Sequence, residues 1–327
     1  MALAHLAQGV GAGQLDGVRV DAGSQQALPL PPAHPHLLRD VVFAGHGLLL
    51  GLLSHGAQGY GTAAVDYRGV VDPLAELPEA ELRARRASSF GKRAAEYAEH
   101  RPDYPRAAVE WCCAPVRGRR PSRVLDLGAG TGKLTAALVG AGREVVAVEP
   151  DPAMRAEFAR RVPGVRALDG TAEDLPLPDA SVDAVLVGQA FHWFDPRAAM
   201  REAARVLAPG GVLAALWIAL DDRVGWVADL ADVAETGVRH GRLRGRGLPL
   251  HERFGPPERA EFAHATRRTA ESVAAMVGTH SVMLVRDPAE RAALLERVLA
   301  FLRTRPDGGA GEFVLPLTTI AARATRH

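Results

Sequence analysis

Three glycines at alternate positions, Gly128, Gly130 and Gly132, follow the apolar run Val124-Leu125-Asp126-Leu127. Glycines so placed strip side chains from a turn, so a ligand can come up against the backbone. The run before them has the pattern of a buried parallel strand. Lys133 to Val139 after them has largely helix-forming composition, and Gly140 and Gly142 punctuate its end. Strand, tight turn and helix in that order form the first βα unit of a doubly wound α/β sheet. Such sheets bind ligands at the carboxyl ends of their strands, near the switch point. Three nucleotide-type ligands compete for the turn. A phosphate-cradling P-loop fails, because Leu127 stands where its first Gly belongs and Leu134 follows Lys133. A dinucleotide fingerprint fails, because Lys133 stands at its third Gly. What remains is Asp126-x-Gly-x-Gly-x-Gly. Glycines kept for packing alone are the alternative on this turn by itself.

That pattern resembles the first motif of the class I S-adenosylmethionine-dependent methyltransferases. The later segments follow in the family's order. A second strand, Glu144 to Val148, ends in Glu149-Pro150-Asp151-Pro152. An acid at this strand end can accept hydrogen bonds from both ribose hydroxyls, which makes Glu149 the expected ribose ligand. Asp151 and Pro152 have the chemistry of a helix cap and first helical position, and Met154 and Phe158 share a face of the helix they open. A third strand, Val165 to Leu168, precedes Gly170-Thr171-Ala172-Glu173-Asp174. This resembles the second family motif, and the resemblance places Thr171 and the backbone of Ala172 against the adenine. A fourth strand, Ala184 to Val187, runs into Gly188-Gln189-Ala190-Phe191-His192-Trp193-Phe194-Asp195-Pro196, where the family transfers its methyl group. The helix after it closes at Pro209-Gly210-Gly211, and Val212 to Trp217 is the fifth strand. Upstream, Tyr97 and Arg101 are four apart and share a helix face before Pro102 and Pro105 redirect the chain. A Tyr-x-x-x-Arg-Pro segment before the first strand is similar to the lid of methyltransferases of the ubiquinone-biosynthesis and trans-aconitate type.

The resemblance implies a Rossmann-like, doubly wound seven-stranded sheet with an antiparallel last strand and helices on both faces. It implies S-adenosyl-L-methionine as cofactor, held by Tyr97, Arg101, Asp126, Gly128, Gly130, Gly132, Glu149, Thr171, Ala172 and Gln189. His192 is the one candidate base, with a pocket-wall imidazole as the alternative. Trp193 and Phe194 suit an acceptor pocket, a cation–π contact with a sulfonium, or simple core packing. Methyl transfer from a sulfonium already has a good leaving group, so positioning and desolvation carry most of the chemistry. A base matters only where the nucleophile must lose a proton.

The rest of the chain sets the frame. At 327 residues, with 47% apolar content, it can hold one large or two ordinary domains. Residues 71–327 are expected to form the methyltransferase domain, with a lid at 89–105, a core at 107–217 and a substrate-side part at 218–327. Residues 1–70 differ sharply in composition: charged residues are sparse and Gly, Ala, His and Leu dominate. They are expected to be a disordered extension, a small accessory segment, or residues upstream of the true start, with the last favoured. Pro78 to Arg86 suits a short helix. Ala107 to Val116 suits the helix before the sheet. Beyond the fifth strand, helices are expected over Val224 to Val238, Ala270 to Gly278 and Pro288 to Thr304. Strands are expected over Ala263 to Thr269 and Phe313 to Ala322. The Arg-rich segment Gly241 to Gly247 reads as a mobile loop.

A net charge of +1 gives no strong pull toward nucleic acid or anionic lipid. The basic cluster Arg117, Arg119, Arg120 and Arg123 lacks interleaved aromatics, so it reads as a solvated turn. No run reaches the roughly 18 apolar residues of a membrane span. The adjacent Cys112 and Cys113 suit a reduced thiol pair on a helix, and no ligand spacing suggests a metal. The expectation is a cytoplasmic enzyme, monomer or homodimer, acting on a small molecule and needing no nucleic acid or membrane partner. A cofactor-binding or regulatory protein that keeps the pocket but not the chemistry is the second function class.

Overall fold

The computed structural model describes residues 43–44, 47–51, 62–64, 91–116, 118, 122–305 and 311–327. The chain divides into two compact units, Met1–Val70 and Val71–His327. Within the first, Phe43–Ala44, Gly47–Gly51 and Thr62–Ala64 form a small antiparallel sheet. The rest of the expectation for residues 1–70, the helix expected over Pro78 to Arg86, and Ser89 and Phe90 at the lid's start lie outside the described residues.

The second unit is built on one seven-stranded sheet. Its strands are β1 (Arg123–Leu127), β2 (Glu144–Val148), β3 (Ala167–Leu168), β4 (Val182–Gly188), β5 (Leu207–Leu220), β6 (Glu258–Arg268) and β7 (Phe313–Thr325). Their spatial order is β3-β2-β1-β4-β5-β7-β6. The first five run parallel, and β7 is antiparallel to both β5 and β6. The order reverses between β1 and β4, so their carboxyl ends form the crevice where an open α/β sheet takes its ligand.

Alternation along each central strand explains why both faces are covered. Leu125, Leu127, Val185, Val187, Leu213 and Trp217 point to one core. Val124, Ala184, Leu186, Val212, Ala214 and Leu216 point to another. The first is closed by α5 (Pro196–Val206) and the second by α2 (Arg106–Cys113) and α3 (Lys133–Gly140). Cys112 and Cys113 are buried in that second core and form no disulfide, as their place on a helix suggested.

Helix starts follow local chemistry. The Asp151 side chain accepts from Ala153 N and Met154 N to open α4 (Pro152–Arg161). Asp195 accepts from Ala198 N to open α5. In each, Pro takes a first-turn position whose missing N–H costs nothing. The helix expected to reach Val238 is α6 (Gly225–Ala234). It stops because Glu235 turns left-handed at φ 51° and Gly237 follows at φ 68°. The expected turn at Pro209-Gly210-Gly211 lies inside β5 instead. Val182 pairs with Leu207 and Ala184 with Val212, so residues 208–211 bulge out of the ladder. The Arg-rich segment opens with a short helix, α7 (His240–Leu243). After β6 come α8 (Ala270–Gly278), α9 (Ser281–Leu284) and α10 (Pro288–Arg303), which build an apolar core of their own with α6.

The helix α1 (Ala94–His100), in the segment expected to form a lid, buries Ala94 and Ala98. A Cβ on Gly91 would stand 2.5 Å from Asp151 Oδ2, so this segment begins tight against the cap of α4. Its far end is tied to the C-terminal end of α8 through Arg101 Nη2 donating to Thr279 O at 3.0 Å, and to the end of β6 through Arg268 Nη2 donating to His100 O at 2.9 Å. The segment thereby spans the strand ends.

Candidate active site

The glycine turn leaves β1 with three left-handed residues, Gly128 at φ 68°, Gly130 at 56° and Gly132 at 88°. Each glycine answers a different demand. A Cβ on Gly128 would lie 2.8 Å from the Ala190 Cβ and 3.3 Å from the Phe194 ring, so the turn packs directly on the loop after β4. A Cβ on Gly130 would meet nothing within 4 Å, because it would project into open cavity. Gly132 departs from the expectation. A Cβ there would meet Val162 Cγ2 at 2.7 Å and Phe158 Cδ2 at 2.9 Å, so this glycine lets the turn seat on side chains at the end of α4, and it lines none of the cavities described below.

Glu149, at the end of β2, is 8% exposed. One carboxylate oxygen accepts from Gly130 N and the other from Asp151 N, both at 2.9 Å. Burial raises its pKa, and those two bonds oppose the rise. A carboxylate has about four acceptor directions, so each oxygen keeps one for a ligand hydroxyl. Glu149, Thr171, Met154 and Trp193 line an open cavity of about 1450 Å³ beneath the glycine turn. Ala172 does not line it; its methyl belongs to the core.

A second cavity, of about 440 Å³, lies at the other end of the turn, among Tyr97, Arg101, Tyr104, Asp126, Gly128 and Gln189. Asp126 is fully buried. Its Oδ2 accepts from Thr135 Oγ1 at 2.6 Å, while Oδ1 has no partner among the described residues. Burial pushes its carboxyl up to about 7, and the Thr135 bond restrains the rise. The Arg101 guanidinium lies 4.8 Å over the Tyr97 ring. Burial lowers its pKa, and its Nε has no partner among the described residues. The expected shared helix face is not formed, because the helix ends at His100 and Arg101 follows it in extended backbone; the Arg101 guanidinium and the Tyr97 ring nevertheless meet, and both residues line this cavity.

Gln189 closes the arrangement. It is left-handed at φ 58°, uncommon for a residue with a Cβ, and is held there by Gln189 N donating to Leu216 O and by its Nε2 donating to Ile218 O at 3.0 Å. A third cavity, of about 500 Å³, opens beyond it, with His192, Arg246 and His280 in its wall. Tyr97 and Gln189 line all three cavities. His192 lines the third and not the other two, which puts the candidate base on the far side of Gln189 from the glycine turn.

Tyr104, His280 and Arg246 also line these cavities, though no motif in the sequence marks them. Tyr104 packs its hydroxyl where a Gly188 Cβ would stand, at 2.5 Å. Burial, with Tyr97 and Asp126 nearby, raises its pKa well above the ordinary phenol. His280 is 4% exposed with no partner for Nδ1 among the described residues, and burial, with Arg101 beside it, holds its pKa well below the usual value. Each sits in an irregular segment with no periodic signal. The only clue was a polar residue beside a helix end. No group of His, Cys, Asp and Glu among the described residues could hold a metal, and no helix among them is long and apolar enough to cross a membrane.

Comparison with known proteins gives a consistent result. The family model described as a methyltransferase domain matches residues 125–215. An uncharacterized methyltransferase of Mycobacterium tuberculosis is 41% identical over 238 residues, 72% of this chain and 95% of the relative. A malonyl-(acyl-carrier protein) O-methyltransferase of Enterobacter lignolyticus is 34% identical over 136 residues, 41% of this chain and 54% of that one. Among solved structures, one described as a type II methyltransferase, from Anaeromyxobacter dehalogenans, is 29% identical. It covers 69% of this chain and 97% of its own, with a TM-score of 0.50.

Proposed function

Because the chain belongs to the class I methyltransferases, we propose that it transfers the methyl group of S-adenosylmethionine to a small-molecule acceptor by in-line displacement. The observation that carries the reading is the meeting of the three cavities at Tyr97 and Gln189, with the open face of Gly130 and the buried Glu149 on one side and His192 on the other.

The residues present suit the cofactor. The unpartnered Asp126 Oδ1 is an acceptor for the methionine ammonium, and Arg101 with Tyr97 is a donor set for its carboxylate. Glu149 would take the ribose hydroxyls, and Thr171 with the Ala172 backbone would flank the adenine. Gly130 leaves the backbone open to the ligand, Gly128 lines the same cavities while packing on Ala190, and Gln189 would mark the passage between cofactor and acceptor. When bound, the cofactor supplies an activated methyl on a sulfonium. The protein's part is to orient the acceptor behind that methyl and exclude water. Calorimetric titration with S-adenosylmethionine, S-adenosylhomocysteine and NADH tests the cofactor class, and turnover over a metabolite panel tests the transfer. Binding of NADH in preference to the sulfonium would overturn the reading.

Cofactor affinity should depend on pH through Asp126. In the free protein this carboxyl titrates near 7. A neighbouring ammonium favours its ionised form, so binding releases a proton below that value. Affinity should rise as the pH climbs toward about 7, by up to about tenfold per pH unit, and then level off. Asp126→Asn should flatten the profile. A flat profile in the wild type would remove Asp126 from the ammonium site.

His192→Ala should lower kcat by about 10²-fold, the usual contribution of a positioned base, and leave S-adenosylhomocysteine affinity unchanged. Full kcat on the true acceptor would assign the transfer to positioning alone.

A further inference from the structure

We propose that the methyl acceptor is an organic acid with an apolar body, its carboxylate held by Arg246 beside His192 and Trp217. The proposal rests on the methyl-transfer reading above and narrows its acceptor.

Arg246 and His192 line the acceptor-side cavity, and both also line an adjoining cavity of about 580 Å³. The walls of that second space are apolar, formed by Phe191, Phe194 and Pro196 with Trp217. Arg246 is half-buried and pairs with no carboxylate among the described residues. Its burial disfavours the charge, as its lowered pKa reflects. Other partly buried arginines around the substrate-side helices are engaged: Arg239 with Asp232, Arg286 with Glu235, Arg291 with Gly278 O, Arg268 with His100 O and Arg305 with the Trp226 ring. Trp217 is 2% exposed, and its Nε1–H also lacks a partner among the described residues. Guanidinium and indole N–H groups donate and cannot accept. Neither cavity wall contains an Asp or a Glu. A cationic acceptor would therefore find no counter-charge. A carboxylate would find a bidentate fork, and an apolar body would find aromatic walls. The pocket selects for an acid, and the methylated atom is a separate matter.

The test uses the full chain saturated with S-adenosylhomocysteine. Trans-cinnamate, indole-3-acetate and octanoate are titrated against their primary amides by calorimetry. At least one acid should bind about tenfold or more tighter than its amide, the expectation for a charge-assisted hydrogen bond. Arg246→Leu should abolish that gap by weakening the acid alone. Arg246→Lys should keep part of it. Unchanged S-adenosylhomocysteine affinity in both variants shows that they are folded. Equal binding of acids and amides, no binding of any acid, or a gap that survives in Arg246→Leu overturns the proposal. So does tighter binding of phenyl phosphate than of every acid. Failure of S-adenosylhomocysteine to bind the wild type is a different result: it removes the methyl-transfer reading itself.

Discussion

Gly130→Val should weaken S-adenosylmethionine binding by about 100-fold or more, roughly 3 kcal/mol, while the protein still folds. Two observations set the direction. The glycine stands at φ 56°, where a β-branched residue is strained by about 1–3 kcal/mol. Its Cβ direction is empty, with no protein atom within 4 Å. The new side chain would clash with nothing in the free protein and would occupy space the cofactor needs. Gly128→Val is the informative contrast. There a Cβ alone comes within 2.8 Å of the Ala190 Cβ, so that variant should lose melting temperature first. Calorimetry and thermal melts on the pair separate the two demands. Cofactor affinity that survives Gly130→Val would mean that the turn shapes the protein and not the ligand site.

The same turn shows what was legible in the sequence. Its glycines, the Asp151-Pro152 and Asp195-Pro196 caps and the strand alternation are local signals, each set by a few neighbouring residues. They located β1 to β5 and the acid at the end of β2. Gly132 looked like its neighbours because spacing alone cannot tell a glycine that admits a ligand from one that admits Phe158. Gln189 carries no hint of its left-handed backbone. The ladder with β5 imposes it, through Leu216 O and Ile218 O. Tyr104, Arg246 and His280 were hidden for the related reason that each is far along the chain from the strand ends it reaches. Their importance comes from the β1/β4 switch point and from a C-terminal part that folds α8 and α9 back over it.

Arg101→Met should weaken S-adenosylmethionine binding by roughly 10- to 150-fold, the span of about 1.5–3 kcal/mol for a hydrogen bond to a charged group. KM for the cofactor should rise more than kcat falls. The free protein is expected to respond in the opposite sense. Arg101 is a partly buried cation whose lowered pKa marks its desolvation, and it has no carboxylate partner among the described residues. A thioether of similar length keeps the contact with the Tyr97 ring and with the neighbouring His280, and sheds the unpaired charge. The bond to Thr279 O and the cation–π attraction to the Tyr97 ring are given up. The melting temperature of the free variant should therefore equal or exceed that of the wild type, while the rise on adding S-adenosylhomocysteine should shrink. This opposed pair of shifts distinguishes a ligand-binding arginine from a structural one. A structural arginine would lower the free protein's melting temperature and leave the ligand-induced rise intact. Hydrogen exchange over residues 91–104 gives an independent check: the wild-type lid should gain protection with the ligand, and the variant should gain less. If the variant melts lower and binds as tightly as the wild type, Arg101 is a strut between α1 and α8, and the methionine carboxylate must find its counter-charge elsewhere.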